Sequence, residues 1–139
     1  MFATSAAPRT AFAHHASAYR QVGVETGISS ASPHQLVLML FDAYVDSLAQ
    51  ARGAMRAGQI ELKCRSIGRA IRIVSEGLRT GLNLRDGGEL AADLNDLYGY
   101  IGQRLTHANA HSDEAALDEC LRLIQPLRQA WAAIAPRHP

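Results

Sequence analysis

Residues 32–48 read Ser-Pro-His-Gln-Leu-Val-Leu-Met-Leu-Phe-Asp-Ala-Tyr-Val-Asp-Ser-Leu. The stretch opens with a helix start. Ser32 is suited to cap, Pro33 fits the first helical position, and Gln35 completes a capping box. Beyond it, Val37, Leu40, Tyr44, Leu48, Ala51 and Met55 recur at helical spacing and make one apolar stripe. Leu38, Phe41 and Val45 widen that stripe to one side. A helix with a single core face needs only the first set. The second set predicts that something besides the core lies against this helix.

Three more helices are predicted downstream. The first helix covers about 33–56 and stops at Gly58. A second covers about 60–82, with Ile60, Cys64, Ile67, Ile71, Val74 and Leu78 alternating steps of three and four. Residues 83–88 break it. A third covers about 89–108, with Leu90, Leu94, Leu97, Ile101 and Leu105 as its seam. The fourth starts near Asp113, capped by Ser112 or Asp113, and its seam is Leu117, Cys120, Ile124, Leu127, Trp131 and Ile134. Pro126 predicts a kink inside it. Short connections make consecutive helices antiparallel neighbours. The fold class is therefore all-α, an antiparallel up-down four-helix bundle over residues 31–136. Residues 1–30, rich in Ala, Ser, Thr and Gly, read as a flexible N-terminal arm.

Composition narrows the function. At 139 residues and 47% hydrophobic, the chain can bury one helical core. Its 14 basic and 13 acidic residues leave a formal charge of +1, so no general nucleic-acid surface is expected. No apolar run approaches the roughly 20 residues that span a bilayer, so no stable membrane insertion is expected. The N-terminus lacks a basic-then-apolar leader, so no secretory signal is expected. Cys64 and Cys120 read as two buried thiols of a reducing cytosol.

No catalytic constellation emerges. His107 and His111 have the i,i+4 spacing of a zinc pair, but they read as a solvated pair at a helix end. His14 and His15 have no third ligand at a useful spacing. Gly87-Gly88 is a turn, with no Lys-Ser/Thr after it as a phosphate loop requires. No enzyme activity, metal or cofactor is expected. Arg65, Arg69, Arg72 and Arg79 cluster on the second helix, where they could bind an acidic partner but read more simply as a solvated polar face.

What remains is surplus apolar surface. On ideal helical wheels Leu38 and Val45 lie off the core direction of the first helix, Leu62 and Ile73 off that of the second, and Tyr100 off that of the third. Side by side they would form a groove for an apolar segment. The arm offers Tyr19, Val22, Val24 and Ile28 as anchors for such a groove. A homodimeric helical-bundle module, paired weakly through the spare face, is the alternative occupant from another class.

Three blocks of sequence also carry a resemblance. The first is Tyr19 to Thr26, Ala31-Ser32-Pro33 and Leu36 to Asp42. The second is Leu82-Asn83, Gly87-Gly88-Glu89-Leu90-Ala91, Leu94, Leu97-Tyr98-Gly99-Tyr100 and Arg104-Leu105. The third is Ala108-Asn109, Asp113, Leu127-Arg128 and Ala130-Trp131. In this order and spacing they resemble the FliS family of flagellar export chaperones. Residues 27–30 look inserted, Phe41 stands where the family often has Tyr, and Ala43 replaces a Gly. The resemblance implies a helical bundle of the bacterial cytosol that binds the disordered C-terminal segment of flagellin. Binding would prevent premature polymerisation and keep flagellin competent for type III export. The cytoplasmic domain of the export gate is the implied second partner, and Tyr19 is implicated in the flagellin groove. The expected partner-binding set is Tyr19, Val24, Leu38, Phe41, Val45, Leu62, Ile73 and Tyr100.

Overall fold

A computed structural model describes residues 31–82 and 86–134. Tyr19, Val24 and the rest of the arm lie outside the described residues. The helices are α1 (Pro33–Ala57), α2 (Ile60–Arg72), α3 (Gly88–His111) and α4 (Glu114–Ala133). A π-helical turn, Ile73–Leu78, extends α2 directly.

The ends of α1 form as their residues dictate. The Ser32 hydroxyl accepts from the Gln35 N–H at 3.1 Å, and Gln35 Oε1 accepts from the Ser32 N–H at 2.8 Å. Gly58 ends the helix in the left-handed region at φ 69°, where a Cβ would be strained. Helix α3 runs on through His111, past the predicted turn, to a left-handed Ser112. Asp113 then caps α4, its carboxylate accepting from the Ala116 N–H at 3.2 Å. Helix α4 continues past Pro126 to Ala133.

Each helix packs on two neighbours, in the cyclic order α1, α2, α3, α4. Cross-links fix the antiparallel sense. The start of α1 meets the end of α4 through His34 and Trp131, and the end of α1 meets the start of α4 through Arg56 and Glu114. The start of α2 meets the end of α3 through Lys63, whose ammonium donates to the Asn109 carbonyl at 2.9 Å and the Ser112 hydroxyl at 2.8 Å. These are bare acceptors at a helix C-terminus, where a cation is favoured. The core runs through Phe41, Tyr44, Leu48, Ile67, Val74, Tyr98, Ile101, Leu105, Leu117, Cys120 and Ile124. Within it the Tyr44 hydroxyl donates to the Cys120 carbonyl at 3.1 Å. Burial pushes the Tyr44 phenol up, and it pushes Tyr98 and the Cys120 thiol up to about 12.

The buried directions of α1 and α2 differ from those the apolar spacing suggests. Phe41 is 3% exposed and faces the core. A helix packed against two neighbours buries a wide arc, and Phe41 lies only about 60° from Tyr44 at 100° per residue. On α2 the buried residues are Lys63, Ser66, Ile67, Ala70, Ile73, Val74, Gly77 and Leu78. Its inner face is thus centred near Ala70, taking in Ile67, Val74 and Leu78 of the predicted seam but leaving Ile60 and Cys64 outside. Ile73, at 9%, is a core residue, and the π turn beginning there shifts the register of the residues after it. Cys64 is exposed, not a buried thiol.

Candidate partner-binding surface

Among the surface residues expected from the sequence, Tyr100 is the most open, at 43%. It sits between α3 and α4. Its hydroxyl donates to one oxygen of Glu119 on α4, and the other oxygen accepts from Arg104 Nε at 2.8 Å. Those two bonds hold the Glu119 carboxyl below its ordinary range, and the Glu119 bond raises the Tyr100 phenol. The ring is therefore fixed at its polar tip while its face is open to solvent.

Val45 sits on the opposite flank of α4. With Asp42, Asp46, Gln125, Arg128 and Gln129 it lines an open cleft of about 440 Å³ between α1 and α4. Arg128 Nε donates to Asp42 Oδ1 at 2.6 Å along its edge. Glu119 and Arg128 are nine residues apart, about 180° around α4. Tyr100 and Val45 thus lie on opposite flanks of α4, and the structure does not bring them together. Leu38, two turns before Val45 on α1, is half-buried, as is Leu62 on α2. Phe41 and Ile73 point into the core and leave the exposed set.

The structure adds residues that the apolar spacing assigns to seams. Ile60 is 60% exposed, Leu90 69%, and Ile134 is also open. Ile60 and Leu90 lie in the first turns of their helices, and Ile134 caps the end of α4. Seam spacing alone cannot show where a helix overhangs its neighbours, but proximity to a predicted terminus is a usable signal.

The histidines at the α3–α4 turn are committed locally. The rings of His107 and His111 lie 4.5 Å apart, and His107 Nε2 is 3.2 Å from Asp113 Oδ2. Asp113 is also the α4 cap, and its carboxyl is lowered first by the Ala116 N–H and then by His107. Among the described residues no group of three or more His, Cys, Asp and Glu could hold a metal ion. No described helix is long and apolar enough to cross a membrane.

The three blocks that suggest a family are reflected in comparisons with known proteins. The family model for the flagellar protein FliS matches residues 15–138. The chain belongs to the FliS family. It is 41% identical over 120 residues to the flagellar secretion chaperone FliS of Salmonella typhimurium, covering 86% of this chain and 89% of the relative. It is 43% identical over 117 residues to the flagellar secretion chaperone FliSB of Pseudomonas aeruginosa, covering 84% and 92%. A more distant relative is the flagellar secretion chaperone FliS of Bacillus subtilis, 30% identical over 114 residues, or 82% and 80%.

Proposed function

We propose that the chain is a non-catalytic, cytosolic export chaperone whose cargo is the disordered C-terminal segment of flagellin. Held on the bundle, that segment cannot polymerise prematurely and stays competent for flagellar type III export. The cytoplasmic domain of the export gate is the second partner. The observation that carries this reading is the open Tyr100 ring, held beside α4 on the surface of a FliS-family bundle. Leu38, Val45 and Leu62 offer further apolar footholds on other flanks. A cargo that reaches them all winds around the bundle, which an extended, disordered segment does and a folded domain does not. Tyr19 and Val24, in the arm of residues 1–30, complete the proposed surface beside the bundle domain of residues 31–136.

Each cargo side chain fully buried on such a surface contributes about 1.5–3 kcal/mol before the cost of ordering the segment. Calorimetric titration with a peptide of flagellin's C-terminal segment should show 1:1 binding with a negative heat-capacity change. Tyr100→Ala should weaken it at least tenfold, or about 1.4 kcal/mol. No heat at high micromolar peptide would remove flagellin as the cargo.

A further inference from the structure

Two charged ladders on the bundle surface form no ion pair among the described residues. On α2, Arg65, Arg69 and Arg72 are exposed, with none of their guanidinium groups in an ion pair among the described residues. By contrast Arg52, Arg56, Arg104 and Arg128 each meet a carboxylate, and Arg79 leaves the cluster to donate to Asn95 Oδ1 at 2.7 Å. On α3, Glu89, Asp93 and Asp96 are likewise exposed and unpaired among the described residues. Each ladder steps by four and then three residues, so both place three like charges along one helix face at the same pitch.

Like charges at these spacings repel one another, and on α2 only Glu61 before the ladder and Glu76 after it stand at four-residue spacing to offset that. The helix dipole accounts for Glu89 in the first turn of α3, but its effect fades before Asp93 and Asp96. Both ladders also have exposed apolar neighbours. Leu90 and Tyr100 flank the acidic one, and Cys64 is exposed one position before the basic one.

The ladders cannot meet within one chain. Asp96 and Tyr100 are one turn apart on the side of α3 that faces α4, whereas Asn95 faces α2. On α2, Lys63 faces α3 and Ser66 faces Gln50 of α1, which leaves the arginines pointing outward. Residues 1–30 contain one acidic side chain, Glu25, and residues 135–139 contain none, so neither stretch matches the three charges of the basic ladder.

We propose that the occupant of the α2 ladder is the α3 ladder of a second copy of this chain. The contact is heterologous: each copy offers one basic and one acidic face, with the exposed apolar residues buried at its margins. It is weak, concentration-dependent and reduced by salt, because exposed pairs are screened.

Sedimentation velocity on the full chain tests this. At low salt the mean mass should rise with concentration, and at high salt it should fall back to that of a monomer. Arg69→Glu and Asp93→Arg should each weaken association at least several-fold, and a mixture of the two variants should recover it. Circular dichroism establishes that both are folded; Arg69→Gln and Asp93→Asn, milder changes at exposed positions, should weaken association in the same order if either fails. A wild-type chain that stays monomeric at low salt overturns the proposal, as does association unchanged by either variant or a mixture that recovers nothing. Binding of an oligoglutamate peptide or an RNA oligonucleotide to the α2 ladder of a chain that remains monomeric also overturns it.

Discussion

The seam between α1 and α4 carries a polar bridge at almost every turn, whereas the buried face of α2 and its π turn sets Ile67, Ile73, Val74 and Leu78 among small side chains and one lysine. Along the first run His34–Trp131, Asp42–Arg128, Tyr44 to the Cys120 carbonyl, Arg52–Asp118 and Arg56–Glu114. At its open end the Trp131 indole donates to the His34 carbonyl at 3.0 Å, and the His34 ring returns a bond to the Trp131 carbonyl. Each bridge is directional, so together they admit one register. On α2, Ser66, Ala70 and Gly77 are buried but impose little. That helix absorbs a change of register as a π turn, closed by the Arg79 N–H on the Val74 carbonyl at 2.8 Å. Directional contacts fix alignment, and small side chains leave it adjustable.

The largest test is Ile67→Ala, at a fully buried position of α2. Urea denaturation should show a loss of about 2–5 kcal/mol. A loss below about 1 kcal/mol would mean that α2 settles into the cavity, and it would deepen the contrast with the α1–α4 seam. Next comes Lys63→Met. The methionine keeps the buried stem but leaves the Asn109 carbonyl without its ammonium donor. The expected loss is about 1–3 kcal/mol, with the α3–α4 turn the first segment to exchange its amide hydrogens. Full stability in this variant would make α2 a helix held by packing alone.

That contrast also explains how far the sequence can be read. The four helices, the capping box, the Gly58 stop and the Asp113 cap are legible because each depends on a few neighbouring residues. The inner face of α2 is legible only in part. The apolar seam reaches the core at Ile67, Val74 and Leu78, but Ile60 and Cys64 are exposed, and the buried direction also takes in Ser66, Ala70 and Gly77, whose role is to be small. Lys63 misleads in the same way, since its burial depends on acceptors forty-six and forty-nine residues away. On the surface, Tyr100 is legible because it lies clear of the core direction. Phe41 and Ile73 are misplaced by the wheel because an arc packed on two neighbours is wider than one seam. The π turn leaves no local signature that periodicity can detect.

A smaller effect is expected from Tyr44→Phe on the well-bridged side. The Cys120 carbonyl lies inside α4 and keeps its helical N–H partner, so no acceptor is orphaned. Removing the hydroxyl should cost about 0.5–1.5 kcal/mol in a thermal or urea melt. A larger loss would show that this bridge anchors its neighbours cooperatively. The two glycines of α3 separate by less. A Cβ at Gly102 meets open space, whereas one at Gly99 comes within 3.3 Å of the Arg79 guanidinium from α2. Gly102→Ala should stabilise by about 0.5–1 kcal/mol, and Gly99→Ala by less, because Arg79 must shift. Equal gains would show that Arg79 moves freely and that α2 is adjustable at this end too.

The smallest expected effect concerns acid. Helix α4 meets α1 and α3 through carboxylates. Glu114 is held below its ordinary 4.5 chiefly by the Arg56 hydrogen bond, and Glu119 by Tyr100 and Arg104. Asp113 is held below 3.8 by the Ala116 N–H. A carboxyl lowered in the folded state contributes stability above its unfolded value, and loses it as pH falls through the folded one. The polar contacts of α2 with α3 run through Lys63, a carbonyl, a hydroxyl, and the Arg79–Asn95 pair, with no carboxylate among them. Between about pH 6 and about pH 3, amide exchange corrected for intrinsic rate should therefore rise in α4 before it rises in α2. These carboxylates are partly exposed, so the difference should be modest and should shrink in salt. Simultaneous opening of all four helices would place the bridges of α4 and the packing of α2 in one cooperative unit, and the contrast between them would then hold for register alone.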